Sequence, residues 1–139
     1  MVTCQVKPED PKIVLLDVDS DTVSLKWESC NVDAGETLTS VFFSRQKVGS
    51  VSPETIASRS ANAGFTLRDP FKDSKKYRAL LDQELRIFDV QRNEKYVYIL
   101  TMNYDNSASV PDSTIFQVTV VVKGKKRVFF GLILFFSRP

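Results

Sequence analysis

The run 85–100, L-R-I-F-D-V-Q-R-N-E-K-Y-V-Y-I-L, constrains the fold more than any other stretch of the chain. Leu85, Ile87 and Val90 are apolar at the spacing of a strand that leads into a turn. Glu94 follows four residues later, and then Tyr98 and Leu100 stand two apart. A period of two sends alternate side chains to opposite faces of a strand, so the run reads as strand, corner, strand. Residues 22–28 (T-V-S-L-K-W-E) repeat the alternation cleanly: Val23, Leu25 and Trp27 share one face, and Ser24, Lys26 and Glu28 the other.

Further strands follow from the same pattern. Residues 12–18 read as a first strand after a polar lead-in that ends at Pro11. In 38–47, Val41 and Phe43 point inward, while Phe42, Ser44 and Gln46 point out. Residues 56–59 and 64–67 are plausible short edge strands, followed by strands over 77–81, 84–88 and 95–104. A final strand over 114–123 puts Phe116, Val118 and Val120 on one face. Turn residues separate them: Asp19-Ser20-Asp21, Gly35, Val48-Gly49, Asp69-Pro70 and Pro111. About nine short strands and no helical period predict an all-β sandwich of two sheets.

Composition narrows the function. A chain of 139 residues suits one domain with a proper core. The net charge of +2 gives no argument for nucleic acid or an anionic membrane. There is no histidine, which removes every Ser-His and Cys-His mechanism and the commonest metal ligand. Phosphate-binding glycine motifs, C-x-x-C pairs and calcium loops are absent from the sequence. The expectation is a protein that is not an enzyme, uses no cofactor or metal, and takes no nucleic acid or small-molecule substrate. The start, Met1-Val2-Thr3-Cys4, lacks the apolar core of a signal peptide, so either the sequence begins after one or the protein is not secreted.

The organisation expected is an arm over 1–11, a domain over 12–123 and a tail over 124–139. The tail is apolar over 128–136 apart from Gly131, well under the roughly 18 residues that span a bilayer. Three readings compete for it: the truncated start of a membrane segment behind Lys125-Lys126-Arg127, an added strand, or a mis-drawn exon end. A truncated or mis-drawn end fits the pattern better than a strand. Membrane attachment would then lie in parts of the protein outside this sequence.

Several pieces stand in the order of one family: V-S-L-K-W at 23–27, V-F-F-S-R-Q-K at 41–47, I-A-S-R at 56–59, L-R-I-F-D-V at 85–90 and E-K-Y-V-Y at 94–98. Together they resemble immunoglobulin-like domains of the variable set (V-set), a Greek-key β-sandwich. The likeness is to the divergent kind found in the membrane-distal domains of cnidarian (hydroid) allorecognition proteins. It implies that the acidic residue at 94 closes the corner and that Tyr98 bonds back to the corner backbone. It also places Trp27 and Leu100 where the disulfide joining strands B and F would lie, and Phe43 where a tryptophan is usual. Trp27 is then expected to pack towards Leu100. In such a sandwich Cys4 and Cys30 come to the same end of the molecule, where they either form a bridge or stay as free thiols.

The resemblance implies a cell-surface recognition or adhesion domain that binds a protein partner, including a second copy of itself. The expected contact is the outer face of the last strand, the strand before it and the 38–47 strand (G, F and C in immunoglobulin lettering). By alternation that face carries Phe42, Ser44, Gln46, Val97, Ile99, Thr101, Gln117 and Thr119. The loops offer a second candidate surface at Asn31, Asp33, Asp105 and Asn106. The alternative is a spacer domain, immunoglobulin-like or fibronectin type III-like, within a longer protein. The insert over 50–76 favours the variable set, which adds two strands there.

Overall fold

The computed structural model describes residues 1–18 and 20–124, and the tail over 125–139 lies outside them. The described chain forms ten strands: β1 Val2–Val6, β2 Lys12–Leu15, β3 Val23–Val32, β4 Thr37–Lys47, β5 Glu54–Ser60, β6 Thr66–Leu67, β7 Tyr77–Leu80, β8 Gln83–Ile87, β9 Lys95–Asp105 and β10 Pro111–Lys123. They build two sheets, β1-β3-β8-β7 and β2-β10-β9-β4-β5-β6. The strands pair antiparallel except β2, which runs parallel to β10 at the edge of the larger sheet. Among the described residues no helix is long and apolar enough to cross a membrane.

One strand was not expected. Residues 2–6, read above as part of an arm, form β1 and close the edge of the four-stranded sheet against β3. Val2 and Cys4 alternate into the core, at 1% and 5% exposure. Pro8 and Pro11 then carry the chain across to the other sheet, where β2 ends at Leu15 rather than at residue 18. The run V-T-C-Q-V is short and stands beside prolines, so its alternation is faint without the partner strand that completes it.

The core follows the period of two. Phe116, Leu100 and Phe43 lie side by side across β10, β9 and β4. Trp27 of β3 faces this row from the other sheet, its ring 6.0 Å from Phe43 and 6.5 Å from Phe116. Trp27 thus meets the two residues that flank Leu100, and this aromatic packing joins the two sheets. The two cysteines do bond, but within one sheet: Cys4 of β1 is the register partner of Cys30 of β3, and their sulfurs are joined.

The corner after β8 closes as expected through Glu94. Its carboxylate accepts the Gln91 backbone N–H at 2.6 Å and the Lys76 ammonium at 2.6 and 2.7 Å. Tyr98 departs from expectation. Its hydroxyl meets the Tyr77 hydroxyl of β7 at 3.0 Å instead of the corner backbone. The reason is that Tyr77 presents a buried phenol opposite it, and two buried hydroxyls satisfy one another.

Candidate functional site

The outer face of the six-stranded sheet gathers all eight residues expected on it. Register places them in rows. Gln117, Ile99 and Ser44 form one row, and Thr119, Val97 and Gln46 the next. Ile115, Thr101 and Phe42 form a third, which Ser58 of β5 and Thr66 of β6 extend. Phe42, Val97, Ile99 and Thr101 are half-buried and Gln117 is exposed.

Two of these side chains, and the backbone of a third residue, are less free than alternation alone suggests. The Arg68 guanidinium lies 5.9 Å from the Phe42 ring centre, on the β6 side. Gln46 donates its amide to the Ser50 carbonyl at 2.7 Å and so braces its own hairpin. The Thr119 backbone N–H donates to the Asp10 carboxylate at 3.1 Å, which brings the β1–β2 connection alongside β10.

Apolar residues that the sequence reading did not select extend the face. Ile115 is 58% exposed and stands in the Thr101 row. Ile13, 47% exposed, lies beside Val121. The signal for Ile115 was present: if Phe116, Val118 and Val120 point inward, Ile115 points out. Ile13 joins the face through the parallel pairing of β2 with β10, which no local pattern reveals.

Above the apolar rows the face turns polar. The Asn103 amide donates to Ser40 at 2.9 Å, and the Ser113 hydroxyl donates to Asn103 at 2.6 Å. Asp105 ends β9 at this edge, and Lys95 begins it at the other. Beneath the lower edge, Arg45 points inward from β4. Its guanidinium lies 4.3 Å from the Tyr96 ring centre and 4.7 Å from that of Phe71, and it donates to the Tyr77 hydroxyl at 2.7 Å and to Glu54 at 3.0 Å. This cluster fixes the lower half of β4. Burial, with Tyr77 as its neighbour, pushes the Tyr98 phenol well above its usual range. Burial also raises Tyr77, against the opposing pull of its bonds to Tyr98 and Arg45.

The loop candidates fare differently. Asn31 sits within β3, paired with Thr3, so the loop expected from 31 shortens to 33–36. Asp33 lies in that turn, 3.3 Å from the Met1 amino nitrogen. Asn106 turns its carbonyl onto the Ala108 and Val110 N–H groups at 2.9 and 3.1 Å, so it shapes its loop instead of facing outward. The two loops touch: Gly35, at φ +82°, has room for a β-carbon only 3.3 Å from that of Ser107. Among the described residues no group of three or more Cys, Asp or Glu side chains is placed to hold a metal ion.

No protein-family model matches the sequence, and no curated protein matches it. Solved structures do match. The structure of murine CRIg aligns with a TM-score of 0.66 at 12% identity, over 88% of this chain and 98% of its own. A chain from a structure on T cell specificity and activation by the bacterial superantigen toxic shock syndrome toxin-1 aligns with a TM-score of 0.60 at 13% identity, again over 88% and 98%. At such identities the likeness shows the fold, an immunoglobulin-like β-sandwich, and leaves function to the site.

Proposed function

We propose that this chain is a variable-set recognition domain on the extracellular side of a cell surface, and that it binds protein, including a second copy of itself, through the outer face of β10, β9 and β4. The observation that carries the reading is the apolar stripe on that face, with Ile115 and Ile13 about half exposed beside Val97, Ile99 and Phe42. Apolar patches with an aromatic anchor and a polar rim are how protein-binding surfaces look. Two short strands, β5 and β6, beside β4 support the variable set. The Cys4–Cys30 bridge supports an oxidising, extracellular compartment. Aromatic packing at Trp27 in place of a bridge between the sheets supports the likeness to the hydroid allorecognition domains.

Sedimentation equilibrium of the chain tests the proposal, alongside Ile115→Lys and Phe42→Glu variants whose folding is checked by circular dichroism. The expected result is a reversible dimer that both folded variants lose. A monomer at every concentration, indifferent to both changes, would remove self-recognition and return weight to a spacer domain.

A further inference from the structure

The self-recognition reading leaves open how the second copy sits, and the charges at the two ends of the face bear on that. β9 runs the length of the face, with Lys95, Val97, Ile99, Thr101, Asn103 and Asp105 directed outward. Lys95 marks one end. Lys123 of β10 lies two residues beyond Val121, the partner of Lys95, and so on the same face. Asp105 marks the other end, and neither the 33–36 turn nor residues 105–113 contain a lysine or arginine. Among the described residues, the side chains of Lys95, Lys123 and Asp105 have no hydrogen bond or ion pair within the chain. At about 3.4 Å per residue the two ends of β9 stand roughly 34 Å apart. That is several times the ~8 Å screening length of physiological salt, so each end acts on whatever lies directly over it.

A face that binds its own copy does so about a two-fold axis. With the strands of the two copies parallel, the lysine end lies on the lysine end. With the strands antiparallel, Asp105 lies over Lys95 of the second copy, and Lys95 over its Asp105. The mid-point of that arrangement falls at the level of Leu100, so the half-buried Ile99 and Thr101 meet at the centre. We infer that the second copy docks antiparallel on this face, with its register set by Asp105–Lys95 pairs at both ends.

The test measures self-association of the full chain at about physiological salt for the wild type, Asp105→Lys, Lys95→Asp and the double variant, with circular dichroism as the folding control. Each single change puts two like-charged pairs in place of two attractive ones, so each is expected to weaken association on the order of 10-fold. The double change restores both attractions and returns the affinity to within about 3-fold of the wild type. The two single changes move the net charge of +2 in opposite directions, so weakening by both cannot come from overall charge. Single variants that bind like the wild type, or a double variant no tighter than the singles, would overturn the antiparallel register while leaving self-recognition standing. A wild type that stays monomeric would instead refute the self-recognition reading, and this inference with it.

Discussion

Breaking the Cys4–Cys30 bridge is expected to cost this domain about 3.5 kcal/mol of stability at 25 °C, from the entropy of closing a loop this long in the unfolded chain. The two cysteines are 26 residues apart in sequence. Replacing both by alanine, in a double variant, leaves the folded contacts nearly intact: Val2 stays buried, and the β1–β3 pairing continues on either side. The loss therefore falls on the unfolded state, which regains the freedom the bridge withholds. At roughly 3–5 °C per kcal/mol for a domain of this size, the melting temperature should fall on the order of 10–15 °C. Trp27 is the chain's one tryptophan and is 1% exposed, so its fluorescence reports unfolding directly. Urea unfolding would compare the oxidised wild type, the wild type with reductant and the double variant. The last two should agree and both should fall below the first. A loss under about 1 kcal/mol would refute the reasoning, because it would mean that the bridge does not restrict the unfolded chain as its loop length requires.

Trp27→Ala should cost about 3–5 kcal/mol, read by thermal melting in circular dichroism, because it empties the space between Phe43 and Phe116. Glu94→Ala should cost about 1–3 kcal/mol in urea unfolding, since it leaves the half-buried Lys76 ammonium with only the Asp89 carbonyl and the Gln91 N–H without its carboxylate. The Tyr77–Tyr98 pair predicts a pH dependence. Burial holds both phenols protonated above their usual range, while the unfolded chain releases those protons near pH 10. Above about pH 10 the unfolded state therefore binds fewer protons, and stability falls as pH rises towards the folded values, by up to about 1.4 kcal/mol per pH unit for each tyrosine. Tyr98→Phe should flatten that slope in urea titrations between about pH 10 and 11, and a slope unchanged from the wild type would count against the buried pair.

Alternation in the sequence was enough to place Val41, Phe43, Tyr98, Leu100, Val118 and Val120 inside and Phe42, Ile99 and Gln117 outside, because the direction of a side chain on a strand depends only on its neighbours in the chain. Composition excluded histidine chemistry for the same reason: what the chain lacks it lacks in any fold. Pairing decided the rest. That V-T-C-Q-V is a strand rests on its pairing with β3, that Ile13 extends the outer face rests on the pairing of β2 with β10, and that Tyr98 answers Tyr77 and not the corner rests on the packing of the two sheets. The opposite charges of Lys95 and Asp105 and their common face follow from alternation along one strand, but only the fold leaves them without a partner among the described residues. Which strands become neighbours is settled by the burial of the whole core, and no short window of residues carries that information.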